Sequence, residues 1–180
     1  MYKRQAYNNI GLIHLGSKDY DKANENFDKA LAIYDKANHI KGKGTVLNNI
    51  GTVYLEQRNI SKAHHYFELA TIESKAATDI QNLANALLNI GSVHYYMADS
   101  VQKANNQQLL EKYTQMAQSY LDTALLNYQL VKDKRGEAGC YGKWCQLAMI
   151  NQDYQAAISY GVKAFDLSLI HISEPTRPLH

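Results

Sequence analysis

Apolar residues recur along the first part of this chain at helical spacing. From Ala6 to Leu15 they are Tyr7, Ile10, Leu12, Ile13 and Leu15, a stripe of the kind one helix face presents. Gly16 to Asp19 interrupts it. From Tyr20 a second stripe follows, made of Ala23, Phe27, Ala30, Leu31 and Tyr34. Ser17-Lys18-Asp19 supplies capping chemistry for that second helix. Two amphipathic stripes joined by a short polar break predict an antiparallel helical hairpin.

The hairpin pattern repeats. Asn8-Asn9-Ile10-Gly11 recurs as Asn48-Asn49-Ile50-Gly51 and again as Leu88-Asn89-Ile90-Gly91, with a period of 40 residues at each step. Ala23, Phe27 and Ala30 recur as Ala63, Phe67 and Ala70. Small and large residues at fixed offsets are the signature of a supersecondary unit stacked on copies of itself. Gly11, Ala23 and Ala30 are where helix backbones approach closely. A glycine inside an exposed helix costs about 1 kcal/mol, a loss that close packing can offset.

These positions resemble the tetratricopeptide repeat family. Its small-residue and aromatic positions fall on Tyr7, Ile10, Gly11, His14, Ala23, Phe27 and Ala30 in the first unit. In the second they fall on Leu47, Ile50, Gly51, Tyr54, Ala63, Phe67 and Ala70. The family's usual closing proline is missing, and Asp35 stands in its place in the first unit. The 40-residue period resembles the longer variety found in kinesin light chains and bacterial signalling proteins. The resemblance implies an all-α, right-handed solenoid of antiparallel hairpins.

The third unit begins in frame at Leu87, Ile90 and Gly91, with His94 at the aromatic position. Its second helix comes into frame late, at Ala117, Leu121 and Ala124, which is 14 residues beyond the period. Fourteen residues are nearly four helical turns, so about seven can be added to each arm without rotating its buried face. The spacing of Leu109, Leu110, Tyr113 and Met116 favours a lengthened hairpin, with its turn near Val101 to Gln108, over a plain loop insertion. A fourth, degenerate unit is framed by Tyr141, Trp144, Ala148, Ala157 and Ala164. There Cys145 replaces the glycine and Gly161 the aromatic. The units are expected at about 6–37, 40–78, 80–132 and 135–166.

Composition sharpens the picture. Both prolines, Pro175 and Pro178, lie in the last six residues, so nothing before them breaks a helix in the way proline does. No run of about 18 apolar residues marks a membrane span. Two cysteines are too few for a disulfide framework. The ends read differently. Leu167-Ser168-Leu169-Ile170-His171 back-translates to CTG TCT CTT ATA CAC. The reverse complement of that DNA, started at GTG, encodes Met1-Tyr2-Lys3-Arg4-Gln5. One inverted DNA element therefore accounts for both ends, and it resembles a transposase-based sequencing adapter. Residues 1–5 and 167–180 are expected to be foreign to the natural protein, and Ser173 to His180 to pack poorly. Without the ends, Ala6 to Asp166 holds 16 basic and 16 acidic residues. The apparent basicity vanishes, and with it the electrostatic case for nucleic acid.

No catalytic constellation stands out: there is no nucleophile elbow, phosphate-cradling loop or His-Glu-x-x-His helix motif. No metal or cofactor is expected. Gly42-Lys43-Gly44 reads as a helix start. His64 and His65 are adjacent, so they diverge by about 100° on a helix and read as surface residues. His14 and His94 read as packing residues, and Cys140 and Cys145 as free core thiols.

The asparagines carry more. Asn9, Asn49 and Asn89 hold one position on the first helix of each unit, flanked by Asn8 and Asn48, with Asn85 one turn before Asn89. An amide both donates and accepts, so a row of them can pair with the main chain of a peptide without fixing its sequence. They can equally bond neighbouring helices and hold the superhelix. The family resemblance implies that first helices line the concave surface and that asparagines there contact ligand. The family's basic carboxylate clamp is not supported, because Asn85, Leu88 and Ser92 fill that stretch.

The expected function is a protein-interaction scaffold that holds a peptide or helix in a concave groove, as a fragment of a larger protein. The alternative is a sensory or dimerising arm of a bacterial signalling protein, a histidine kinase or transcription regulator, whose output domain lies elsewhere. An enzyme is not expected. The partners expected are protein or peptide, with self-association through exposed solenoid ends, and neither nucleic acid nor membrane.

Overall fold

Seven three-residue turns of one design organise the chain. In each, the second residue takes a left-handed conformation, as at Lys18 (φ 59°), Arg58 (φ 60°) and Lys132 (φ 59°). The third residue closes the preceding helix by donating its N–H back five residues, as Asp19 does to the His14 carbonyl at 2.9 Å and Asp79 to that of Ser74 at 2.9 Å. This six-to-one bond satisfies a carbonyl that the helix end leaves free. The same third residue caps the next helix: Asp19, Asn59, Asp79, Asn106 and Asp133 each accept from the N–H three residues on. At the second turn His39 does so through its ring, accepting from Gly42 N–H at 3.0 Å. Stop and start signals thus share one residue, so no turn needs glycine or proline.

The computed structural model describes residues 2–173, with side chains from Lys3 to Leu169. The packing expectation for Ser173 to His180 concerns side chains that fall outside that set. The described residues form α1 (Tyr2–Gly16), α2 (Tyr20–Lys36), α3 (Ile40–Glu56), α4 (Ile60–Ala76), α5 (Ile80–Lys103), α6 (Gln107–Leu130), α7 (Lys134–Ile150) and α8 (Tyr154–Ser173). They pair as four antiparallel hairpins, and among the described residues there is no strand. No described helix is long and apolar enough to cross a membrane.

The third hairpin is lengthened without losing register. α5 and α6 have 24 residues each, against 17 in α2, α3, α4 and α7. Each arm therefore gains seven residues, close to two full turns. The buried series Ala117, Leu121, Ala124 and Tyr128 stays on one face, and the projecting tip acquires its own small core of Ala98 and Leu110 against Ile150.

Small residues face large ones at each crossing. A Cβ on Gly11 would lie 2.5 Å from the Phe27 ring, one on Gly51 2.5 Å from Phe67, and one on Gly91 2.9 Å from Leu121. Between hairpins, Tyr34 and Tyr128 press on Gly42 and Gly136, where no side-chain carbon fits. Gly42-Lys43-Gly44 is thus a helix start packed against the previous hairpin. Its Lys43 pairs with Asp35 at 3.1 Å and Glu73 at 2.9 Å.

The first helices also touch one another from hairpin to hairpin: α1 meets α3, α3 meets α5 and α5 meets α7, whereas among the described residues α2, α4, α6 and α8 make no such contacts with one another. The helices that crowd together line the inside of the curve. The asparagine row lies on these crowded first helices. At the far end, α8 turns a stripe of Ile158, Val162, Phe165 and Leu169 to solvent.

Candidate functional site

The first helices of the opening three hairpins are joined by a ladder of amides. Asn49 Nδ2 donates to Asn8 Oδ1 at 2.9 Å, and Asn89 Nδ2 donates to Asn48 Oδ1 at 3.0 Å. Each bond joins the first helices of adjacent hairpins. Asn8, Asn48, Asn49 and Asn89 are half-buried and Asn9 is exposed. Every ladder amide keeps a second N–H and carbonyl capacity beyond the bond it makes. The row is therefore partly structural and partly open.

Asn85 differs from the row. Its Oδ1 accepts from the Tyr128 hydroxyl at 2.7 Å and from Gln81 Nε2 at 3.4 Å, and Gln81 also donates to Asp133 Oδ2 at 2.7 Å. This chain ties the third hairpin together and on to the turn that starts the fourth. Burial pushes the Tyr128 phenol well above its usual range, with Cys140 and Asp133 adding to the effect, so it remains a hydrogen-bond donor.

The ladder stops at α5. The positions that would continue it are Leu88, which has no acceptor, and Lys143 on α7. The Lys143 ammonium lies 5.4 Å from the Tyr95 ring centre and 5.7 Å from that of Tyr96, with Arg58 stacked on the other part of the site at 4.3 Å from Tyr96. Burial, and then the Arg58 charge, hold the Lys143 pKa below the usual lysine range. Beside this cluster, Lys18, Tyr20, Thr52, Glu56, Arg58 and Tyr96 border a depression of about 460 Å³. Sequence reasoning missed this cationic–aromatic end. Its signal was available in Lys143, which breaks the asparagine register of the earlier units.

The histidines divide. His94 is 3% exposed and neither ring nitrogen has a partner. It stacks on Tyr120 at 5.4 Å and meets the edge of His64 at 5.5 Å. Desolvation, and secondarily His64, lower its pKa to about 4, so it is a neutral packing ring. The surface reading of His64 is corrected: it is half-buried against His94 and 3.5 Å from Glu68. His14 is also only half-buried, 3.9 Å from Asp19. The core reading of the two thiols holds for Cys140, whose pKa burial pushes up to about 12, while Cys145 is half-buried. Among the described residues no group of His, Cys, Asp and Glu is placed to hold a metal ion.

Residues 2–71 match the family model described as tetratricopeptide repeat. Among solved structures, the crystal structure of BtubC (BKLC) from P. vanneervenii aligns with 98% of this chain and 67% of that one, at a TM-score of 0.68 and 17% identity. At that identity the likeness is one of fold. No curated protein matches the sequence.

Proposed function

We propose that the chain, whose residues 2–71 match the tetratricopeptide repeat model, is a protein-interaction scaffold that holds a peptide or helix against its concave face. The observation that carries this reading is the half-exposed amide row of Asn8, Asn9, Asn48, Asn49 and Asn89. Unused amide donors and acceptors in a line suit a main chain, which offers both at a regular interval. Asn85 borders the row with its N–H groups. The chain is read as a binding module with no chemistry of its own and no cofactor. Residues 1–5 and 167–180 are held to be foreign to the natural protein, which sequencing the native locus tests.

The test is a selection of displayed random dodecapeptides on the full chain, followed by calorimetry on the peptides recovered. Asn9, Asn49 and Asn89 changed together to alanine should weaken binding by a few kcal/mol at most, each hydrogen bond being worth about 0.5–1.5 kcal/mol. Helical content should stay nearly intact. Selected peptides that bind the triple variant as well as the parent would refute the groove assignment.

A second reading, an arm that passes a signal to another domain, draws support from α8. Ile158, Val162 and Phe165 are 64%, 54% and 61% exposed. That stripe is a surface for a further helical element, either of the parent protein or of a second copy. The full reading frame of the source decides it.

A further inference from the structure

The outer side of the solenoid carries a second groove, where the lengthened third hairpin meets the fourth. α6 and α8 make no contact with each other there, and three depressions run along α6 between them, with Gln118 lining all three. The largest, about 600 Å³, lies under the projecting tip of the third hairpin. Gln102 on α5 fixes that tip by donating to the Ile150 carbonyl at 2.5 Å. From Leu110 to Leu125 the groove follows about 22 Å of helix, the length of six or seven extended residues at roughly 3.3 Å each.

The lining is amide-rich. Gln118, Asn151 and Gln152 face the groove, and their side chains make no hydrogen bond to the protein. Thr114 adds an independent sign. It is 6% exposed, it lines the main depression, and its hydroxyl has no partner although a helical threonine ordinarily bonds the carbonyl one turn back. A buried hydroxyl left unpaired is costly; this one is closed to solvent in the wall of the cleft, so a ligand reaches it by displacing part of that wall. The charged residues lining the largest and the outermost depressions are carboxylates, Glu111 and Asp122.

We propose that this outer groove binds an extended peptide segment carrying a lysine or arginine. Amides and the Thr114 hydroxyl serve its main chain, and Glu111 or Asp122 its basic side chain. A nucleic acid is disfavoured because the lining residues include no cation. A carbohydrate would need an exposed ring face, and Trp144 is covered by Tyr141 at 5.3 Å and Tyr160 at 5.7 Å. The site is separate from the concave row and does not depend on it.

The experiment is an NMR titration of the full chain with two acetylated, amidated heptapeptide pools, one with lysine and one with glutamate at the centre and mixed residues around it. The lysine pool should shift the signals of Thr114, Gln118 and Asn151, and the glutamate pool should not. Thr114→Val should weaken lysine-pool binding roughly threefold to tenfold and also raise the melting temperature, because it removes an unpaired buried hydroxyl. Glu111→Gln with Asp122→Asn should abolish the preference for lysine. The proposal is overturned if neither pool moves these signals, if both move them equally, if Thr114→Val binds as the parent does, or if chitotetraose moves them when the pools do not. Shifts confined to Asn49 and Asn89 would sink this site while leaving the concave groove standing.

Discussion

The first two hairpins and the fourth share one frame and fill it in opposite ways. In hairpins one and two the first helix supplies glycine and the second a phenylalanine, Gly11 with Phe27 and Gly51 with Phe67. In the fourth hairpin the sizes are exchanged: Cys145 stands on α7 and Gly161 on α8, where an added Cβ would meet Cys145 Sγ at 3.7 Å. The third is intermediate, with Gly91 against Leu121. The joint between second and first helices shows a related exchange. Tyr34 and Tyr128 meet Gly42 and Gly136, while the middle joint holds Ser74 and Asn82 at those registers. What the frame requires is a combined volume across each crossing, which is how close-packed interiors constrain sequence.

The largest effect that tests this comparison is expected in the second hairpin. Gly51→Leu forces carbon into the Phe67 ring, and overpacking of this kind costs about 1–3 kcal/mol. Lys62→Leu changes an exposed residue whose ammonium sits 5.0 Å from the Tyr54 ring centre, so it should fall within about 0.5 kcal/mol of the parent. Thermal melts of the two variants decide, and equal midpoints would refute the frame.

His94 marks a difference between the lengthened hairpin and the two before it, which carry His14 and Tyr54 at the same register. Its pKa falls from 6.5 to about 4 on folding, so the unfolded chain binds the proton more tightly. Stability is then full above pH 6.5 and is lost as pH drops from there through 4. The loss is on the order of 3 kcal/mol. His94→Phe keeps a ring at the site and should flatten the stability profile over that window. A variant with the parent's pH dependence would show that the titration belongs elsewhere.

The exchanged pair in the fourth hairpin offers a double-mutant cycle. Gly161→Phe alone should destabilise, since its ring meets the Cys145 side chain. Adding Cys145→Gly restores the arrangement of hairpins one and two and should recover about 1 kcal/mol of coupling, the order seen for residues in contact. Additive effects would mean that the two positions do not share one volume.

These contrasts also show what could be read from the chain. The hairpins, their register and the lengthening of the third were legible because helical periodicity and small-residue spacing are local and regular. Fourteen extra residues declared themselves as two arms because Leu109, Leu110, Tyr113 and Met116 kept helical spacing. The turn geometry was less legible. Lys18, Arg58, Thr78 and Gln152 adopt left-handed φ values that composition does not announce, since glycine is the usual residue there; the closing bond and the following cap impose them. The pairing of His64 with His94 and the unpaired Thr114 hydroxyl were invisible, because they depend on which hairpin faces lie opposite. The asparagine row was visible as a repeat, but whether its members bond to each other depends on the step between hairpins.

The smallest expected effect concerns that row. Asn48 and Asn89 share a hydrogen bond of 3.0 Å, and Asn8 and Asn49 one of 2.9 Å, all at half-buried positions. A net contribution of about 0.5 kcal/mol each is reasonable, at the low end for a hydrogen bond because water competes at such sites. Asn48→Ala and Asn89→Ala should therefore couple by about that amount in a cycle of melts. Asn9→Ala, at an exposed position, should be neutral. The comparison of hairpins gives the control: at the third step the row holds Leu88 and Lys143, so Leu88→Ala and Lys143→Ala should show no hydrogen-bond coupling of this kind. If Asn9 proved as important to stability as Asn89, the row would be scaffold throughout and the concave face would lose its claim to a ligand. If Asn48 and Asn89 did not couple, the ladder would be idle in solution and all of its amides would be free for a peptide.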